Sequence, residues 1–273
     1  ILGGGYHPSA SPLIAGAVDA SQRGKAIGLH IVGGSASNFL SPLVAVFIAG
    51  FLGWRGSYIT ISVPVFVFGL WLFFLMLRND IRAPGTEEAE DKSTSHNVPK
   101  SLKGPKRPNK SLAKIIIILV MTASVGASIG SVVSFITLLA VDSLGVDQKT
   151  AALLLSIYFA SGMAAAPIGG MLADRFGPLR ILFSLALLSG PVIILIGITP
   201  IWGLLAFLML GLGSIAFFRM TSSEIFFVSR VPQRHRSTVL GVYYFAGMEG
   251  RGIISPILGG AIDSWGFTAS FTV

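Results

Sequence analysis

Long stretches without a charged side chain alternate along the sequence with short polar turns. No charged residue occurs between Lys25 and Arg55, and further long apolar stretches follow. A helix needs about 20 mostly apolar residues to cross the hydrocarbon of a bilayer, whereas the strands of a membrane barrel are shorter and alternate in polarity. The pattern therefore predicts membrane-spanning helices. The predicted spans are 26–54, 56–77, 115–141, 150–173, 179–198, 201–228 and 237–262, with parts of further helices at 1–18 and 265–273.

Composition supports the same fold class. The chain is 52% hydrophobic and only 12% charged, about half the charged fraction of soluble domains. Its net charge of +8 comes with no nucleic-acid-binding motif, so a nucleic-acid partner is not expected. The absence of cysteine excludes a disulfide framework, a thiol nucleophile and cysteine-bound metal within this sequence. The predicted fold class is an all-α integral membrane protein.

Lysine and arginine predict the orientation of the spans. With the turn at 19–25 on the cytoplasmic side, alternate loops place 16 of the 20 basic residues on that side and Arg55 and Lys149 on the other. Basic loops are retained in the cytoplasm. Arg219 and Arg251 are the two that remain, and both fall within spans.

One loop, 79–112, differs from the others in length and composition. It mixes acidic, basic, proline and serine residues, and such a segment cannot bury a core. We interpret it as a cytoplasmic linker, or alternatively as a basic segment that contacts anionic headgroups. The predicted domains are the remainder of an N-terminal half at 1–78, the linker at 79–112 and a C-terminal half at 113–273.

The spans on either side of the linker contain an internal repeat. Both begin with an arginine, reach a glycine five residues later, and continue to a Ser-Pro pair and a tryptophan beside a glycine. Transporters are often built from duplicated halves. The corresponding residues are Arg23, Gly28, Ser41-Pro42 and Gly53-Trp54 in the first copy, and Arg236, Gly241, Ser255-Pro256 and Trp265-Gly266 in the second.

Small residues and prolines within these spans are interpreted first as packing and kink positions. Helices in lipid associate through close backbone approach, which small side chains permit, and an internal proline bends a helix. Gly126 and Gly130 form a further small-xxx-small face. The positions singled out are Gly33, Gly34, Pro42, Gly247 and Pro256.

The turn between two spans at 170–180 reads Gly-Met-Leu-Ala-Asp-Arg-Phe-Gly-Pro-Leu-Arg. Through Gly170, Asp174, Arg175, Gly177 and Arg180 it resembles a signature of the major facilitator superfamily of secondary transporters. The resemblance implies a 12-helix bundle of two halves. On that alignment the chain is a fragment, truncated at both ends, that runs from about helix 4 to the start of helix 12.

We interpret this turn as a conformational latch. Asp174 can pair with Arg175, Arg180 or a neighbouring helix terminus in one conformation and release it in another. Exposed ion pairs contribute only about 0–1 kcal/mol, which suits a contact that must break in each cycle. The alternative is a turn that only anchors the membrane topology.

Four charged residues fall inside predicted spans, where each is a candidate functional group. Arg219 and Glu249 lie about 16 and 19 Å from the cytoplasmic end by helical rise, so we expect them to pair. Either the pair opens during transport and releases Glu249 to a proton or to an anionic substrate, or it only holds two helices together. Glu224 is placed closer to the surface, within reach of Arg230 or Arg234. Arg251 faces away from Glu249 and has no evident partner.

His7 and Tyr243 complete the candidate substrate and proton pathway. A histidine can titrate near physiological pH, although a packed, hydrogen-bonded His7 is an equally simple interpretation. No metal site and no cofactor are expected, since acidic and histidine residues do not cluster at ligand spacing.

Together these features predict a secondary active transporter for an organic anion or drug-like molecule, working by alternating access and coupled to protons. A membrane sensor or scaffold with the same fold is the alternative, and an integral-membrane enzyme is a weaker one. We expect no enzymatic activity. The expected partners are a small-molecule substrate and the lipid bilayer; the expected protein is a multi-pass, monomeric component of the plasma membrane.

Overall fold

The computed structural model describes residues 6–78 and 110–272, and all regular elements in those ranges are helices. Two compact units are present, one formed by Ile1–Ala36 with Arg107–Val273 and the other by Ser37–Lys106. Most of the predicted linker at 79–112 lies outside the described residues, so its cytoplasmic position and the three-part division of the chain stay predictions.

The described residues form seven α-helices. Short turns join them except between the second and the third, which are separated by residues 79–109, outside the described ranges. A single 3-10 turn, Ala20–Gln22, connects the first two. The helices are α1 (Tyr6–Ala17), α2 (Arg23–Arg78), α3 (Lys110–Leu144), α4 (Gln148–Phe176), α5 (Pro178–Ile198), α6 (Trp202–Arg230) and α7 (Gln233–Thr272).

Five helical segments in the described part of the chain are long and apolar enough to cross a membrane. They are Phe47–Leu75, Leu112–Leu144, Thr150–Phe176, Pro178–Ile198 and Trp202–Arg230. The boundary between α5 and α6 falls at Thr199 and Pro200, as predicted, because proline disfavours helix at the residue before it. Helix α7 contains the predicted span 237–262 but is not among the five.

Helices α2 and α7 are each interrupted by a glycine with positive φ. Gly53 has φ 68° and ψ 175°, and Gly266 has φ 76° and ψ 171°, a conformation essentially confined to glycine. These interruptions separate the spans that the sequence predicts on either side. The backbone is helical at Pro42 and Pro256, and the bends expected at these prolines stay predictions.

The core of the first unit lies where α4 packs against α6. Glycines of α4 receive aromatic side chains of α6: a Cβ at Gly162 would lie 2.6 Å from the Phe217 ring, and one at Gly169 would lie 2.7 Å from the Phe218 ring. Backbone approach of this kind is what small residues provide in lipid. It positions the middle of α6, which carries the two charged residues of the site described below, Arg219 and Glu224.

The three glycines that the sequence singled out as packing positions in α2 and α7 make no close contact with the described residues. A Cβ at Gly33, Gly34 or Gly247 would meet no described atom within 4 Å, so the predicted packing role is wrong for these three positions within the described part of the chain. The close approaches involve other glycines of the same two helices. They are Gly24 and Gly28 in α2, and Gly250 and Gly259 in α7.

Candidate functional site

A buried carboxylate, Glu224, joins three helices. It lies on α6 and is 0% exposed. Ser11 of α1 donates a hydrogen bond to Oε2, and Tyr244 of α7 donates one to Oε1. Within the described residues, no basic side chain forms an ion pair with it. A buried carboxylate held only by neutral hydroxyls is costly to keep charged inside a membrane.

The prediction that Glu224 reaches Arg230 near the surface is therefore wrong. Three further buried polar residues precede Glu224 on α6: Thr221, Ser222 and Ser223. The apolar residues that follow it keep Glu224 away from Arg230. A run of hydroxyl residues ending in a single carboxylate, within an otherwise apolar helix, is the sequence signal that indicates this position.

Arg219, one and a half turns earlier on α6, points towards α3. Its Nη1 donates to the backbone oxygen of Thr122 at 2.8 Å and to the Tyr243 hydroxyl at 3.0 Å. Space for the guanidinium comes from Gly126, where a Cβ would lie 2.6 Å from Nη2. Its buried Nε has no hydrogen-bond partner among the described residues.

The predicted pair of Arg219 and Glu249 is not formed. Glu249 is exposed on α7, while Arg219 is held by a carbonyl and a phenol on other helices. Equal depth in the membrane did not bring the two together, because the glycine at position 126 directs the arginine towards α3. Tyr243, predicted as a pathway residue, does contact Arg219 and is itself buried.

The Arg251 side chain, on α7, occupies a second recess on α3, at Gly130. A Cβ at Gly130 would lie 2.7 Å from its Cδ. The small-xxx-small face of α3 therefore accommodates two arginine side chains, in addition to packing against α7. That packing continues through Ser255, whose Oγ hydrogen-bonds to the Ser131 Oγ at 3.1 Å.

Two neighbouring tyrosines of α7 contact Arg219 and Glu224. Tyr243 hydrogen-bonds to the arginine, and Tyr244 hydrogen-bonds to the carboxylate. The centres of the two tyrosine rings lie 5.2 Å apart. We call the set Ser11, Thr122, Arg219, Glu224, Tyr243 and Tyr244 the polar network.

Near the C-terminal end of α4, Asp174 contacts the N-terminus of α2. Its carboxylate accepts hydrogen bonds from the backbone N–H groups of Gly24 and Lys25 in the first turn of α2, where the helix dipole favours negative charge. Gly24 also meets the backbone of Gly170, and a Cβ at either glycine would collide. Of the three partners that the sequence allowed for Asp174, the structure shows the helix terminus.

The other residues of the predicted latch shape the turn between α4 and α5. Gly177 has φ 86° and precedes the proline that begins α5, so it needs the conformational freedom of glycine. The Arg175 guanidinium lies 5.3 Å from the centre of the Phe176 ring, and Arg180 is exposed. Neither arginine contacts Asp174.

Two repeat-related arginines bind the ends of the preceding helices. The Arg23 Nε donates to the backbone oxygen of Ala15 at 2.9 Å, and the Arg236 Nε donates to that of Val231 at 3.1 Å. Such contacts satisfy carbonyls that a helix end leaves free. Burial and the nearby charge of Arg23 lower the pKa of Arg236, so the two arginines are neighbours.

His7 lies in the first turns of α1, and its side chain is outside the described part of the structure, so its role stays a prediction. Across 6–78 and 110–272, no group of three or more histidine and acidic residues is placed to hold a metal ion.

Comparison with known proteins decides the family. The sequence profile of the Major Facilitator Superfamily matches residues 1–256. The chain belongs to the major facilitator superfamily. This confirms the resemblance drawn from the turn at Gly170–Arg180, and it agrees with an all-α integral membrane fold and with a transporter family rather than an enzyme family.

Three bacterial relatives, each named multidrug resistance protein MdtG, are similar to this superfamily member. The protein of Rahnella sp. (strain Y9602) is 32% identical over 76% of this chain and 49% of its own length. That of Citrobacter koseri is 30% identical over 99% of this chain and 64% of its own length. That of Salmonella paratyphi C is 26% identical over 99% and 65%. The chain thus spans about half to two thirds of the length of these relatives.

Proposed function

We propose that this chain is part of a secondary active transporter that moves a small drug-like organic molecule across the plasma membrane, coupled to protons. Membership of the superfamily supports alternating access as the mechanism. The names of the relatives describe multidrug resistance, which supports a drug-like substrate. The observation that carries the proton-coupling part is the placement of Glu224 in the polar network.

Glu224 connects elements from both sides of the predicted linker. Ser11 belongs to α1, before the linker, whereas Glu224 and Tyr244 belong to α6 and α7, after it. Rocking of one half against the other separates Ser11 from the carboxylate. A proton that binds to Glu224 compensates for the lost hydrogen bond, so the occupancy of this site by a proton depends on the conformation. This assigns to Glu224 the proton-coupling role that the sequence suggested for Glu249.

Asp174 provides the second contact between the same parts of the chain. It caps the first turn of α2, before the linker, from the end of α4, after it. In the predicted orientation this end is cytoplasmic, and the structure then corresponds to a conformation closed on that side. Opening to the cytoplasm breaks the two backbone hydrogen bonds of Asp174 and separates Gly24 from Gly170.

A paired comparison of two glutamates tests the assignment. The full-length protein is reconstituted in vesicles, and uptake of ethidium, chloramphenicol and benzoate is measured with and without a pH gradient. We expect uptake of at least one probe to respond to the gradient in the wild type. Glu224→Gln removes the charge with little change in shape and should abolish that response. Glu249→Gln removes an exposed carboxylate from the neighbouring helix and should preserve it.

Gradient-driven uptake that persists in Glu224→Gln would contradict the proton role of this residue. Failure of the wild type to move any of the three probes, with or without the gradient, would count against transport of this substrate class. Folding of each variant is checked by its thermal transition in detergent, so that a misfolded protein is not mistaken for an uncoupled one.

A further inference from the structure

A cavity of about 490 Å³ lies between the turn that joins α3 to α4 and the first turn of α6. Its volume falls within the range of pockets that hold small organic ligands. We propose that this cavity binds an aromatic organic cation. The inference rests on the proposed transport function, to which it adds a substrate class and a peripheral site at the end of α4 opposite to Asp174.

One face of α4 forms the apolar wall of the cavity. Leu153, Leu154 and Ile157 line it at helical spacing, and together with Thr150 they extend over about 10 Å of the helix axis. Leu154 is only 1% exposed, whereas Leu153 is 55% exposed. The wall therefore passes from the protein interior to the surface, and it offers a hydrophobic lining to a ligand that enters from outside.

Trp202 adds an accessible aromatic ring to the same cavity. It is the first residue of α6 and is 54% exposed, and no aromatic ring within the described ranges stacks against it. The face of an indole attracts cations and pairs with other aromatic rings. Trp202 therefore favours a ligand that carries a positive charge on or beside an aromatic group.

Asp147 supplies the complementary charge. Among the described residues that line the cavity, it is the only one with an ionisable side chain. Its carboxylate is exposed and is held at the start of α4 by Thr150, which donates its backbone N–H to Oδ2 and its hydroxyl to Oδ1. These two hydrogen bonds fix a negative charge at the edge of an apolar cavity, and neither of them neutralises it.

The surrounding charge also favours a cation. Three aspartates and one lysine lie at the helix ends on this side of the bundle, namely Asp142, Asp147, Asp263 and Lys149. Asp142 and Asp263 are exposed. Negative charge around the mouth of an apolar cleft raises the local concentration of cations and disfavours anions. Lys149 carries the opposing charge, so its removal tests the sign of the preference.

Equilibrium dialysis of the full-length protein in detergent tests the site. The probe is tetraphenylphosphonium, an aromatic cation, and tetraphenylborate serves as the anion of matching shape. Binding of each ion to empty micelles is measured separately and subtracted. We expect the cation to bind about ten-fold or more tightly than the anion, because an attraction to Asp147 replaces a repulsion.

Matched variants assign the binding to this cavity. Asp147→Asn removes the charge but keeps the helix cap, since asparagine caps as well as aspartate, and it should weaken cation binding about three- to five-fold. Asp142→Asn, at the end of α3 outside the lining, should change it by less than about two-fold. Trp202→Ala should weaken cation binding about three-fold or more, whereas Trp265→Ala, at another exposed tryptophan, should leave it unchanged. Lys149→Gln should strengthen it.

Protection from chemical labelling reports the position of the ligand independently of these side chains. Leu153→Cys places a thiol in the cavity, and Leu204→Cys places one at an exposed position of α6 outside the lining. Each is introduced into a protein without other cysteines. We expect tetraphenylphosphonium to slow maleimide labelling at Leu153→Cys and to leave the rate at Leu204→Cys unchanged.

Three results would overturn the proposal. They are equal affinity for the two tetraphenyl ions, equal effects of Asp147→Asn and Asp142→Asn on cation binding, and a labelling rate at Leu153→Cys that the cation does not change.

Binding at this cavity and transport can fail separately. Gradient-driven uptake of ethidium or chloramphenicol by a protein whose cation binding does not depend on Asp147 would overturn this site while supporting the proposed function. Cation binding that depends on Asp147, in a protein that transports no probe, would support the site and contradict the proposed function.

Discussion

Helices α2 and α7 carry the two copies of the repeat, and their ends are alike while their middles differ. Each carries in its first turn an arginine that binds the end of the preceding helix, Arg23 or Arg236. Each is interrupted by a glycine of the same unusual conformation, Gly53 or Gly266. The distance in sequence from arginine to glycine is the same in both. The positions of Tyr243 and Tyr244 in α7 correspond to His30 and Ile31 in α2.

This comparison separates a shared framework from specific chemistry. In both helices the arginine contacts the preceding helix and the glycine interrupts the regular backbone. The phenol groups that contact Arg219 and Glu224 occur in one copy only. The two copies of the repeat thus share the arginine contact and the glycine interruption, and the second copy alone carries the tyrosines of the polar network.

The largest difference is expected between Gly24 in α2 and its counterpart in α7, Ser237. Gly24 lies against the Gly170 backbone and the Asp174 carboxylate, and a side chain there collides with both. Ser237 is exposed. Gly24→Ser should lower the free energy of unfolding by about 1–3 kcal/mol, the usual effect of overpacking, and Ser237→Gly should change it by less than about 1 kcal/mol. Chemical denaturation of the full-length protein measures both.

Equal effects of Gly24→Ser and Ser237→Gly would contradict the close approach of α2 to α4. The same pair of variants in the flux assay would show whether the contact matters for transport as well as for stability.

Part of this architecture could be predicted from the sequence. The arginine-to-glycine repeat, the turn at 170–180 and the break at Pro200 are local signals, since each depends on residues close together in the chain. The direction of Arg219 is set by a glycine and a carbonyl on α3, about a hundred residues earlier. The burial of Glu224 depends on Ser11, 213 residues earlier. Helical depth alone therefore gave Glu224 a basic partner near the end of α6 that it does not contact, and it paired Arg219 with the wrong residue.

The next largest effect on stability is expected at Gly53 and Gly266, the two glycines that interrupt α2 and α7. Gly53→Ala and Gly266→Ala place a Cβ in a conformation essentially confined to glycine, which costs about 1–3 kcal/mol at each position. Because the dihedral angles are nearly the same, the two losses of stability should be similar. Gly50→Ala and Gly260→Ala, at helical glycines with open space around the Cβ, should be neutral or stabilising. Thermal unfolding compares the stability of all four variants. A loss of stability in only one of Gly53→Ala and Gly266→Ala would show that the two copies of the repeat are not equivalent.

The smallest effect is expected from the arginine caps. Arg23→Gln and Arg236→Gln each remove one hydrogen bond to a helix-end carbonyl, worth about 0.5–1.5 kcal/mol. Removal of either arginine also relieves the repulsion that lowers the pKa of Arg236. This relief offsets part of the stability lost in each single variant, but it occurs only once in the double variant. The double variant should therefore lose more stability than the sum of the two single losses. A double-mutant cycle in denaturant measures the interaction energy between the two arginines. Strictly additive losses of stability would show that the two side chains do not interact.

The central claim, that protonation of Glu224 sets the conformation, is tested most directly by a distance measured at several pH values. Spin labels are attached to Leu13→Cys on α1 and Phe207→Cys on α6, both exposed positions, and pulsed electron paramagnetic resonance records the distance between them. The account predicts that the distance distribution changes with pH in the wild type and in Glu249→Gln, and that in Glu224→Gln it no longer responds to pH. A pH response in Glu224→Gln equal to that of the wild type would contradict it.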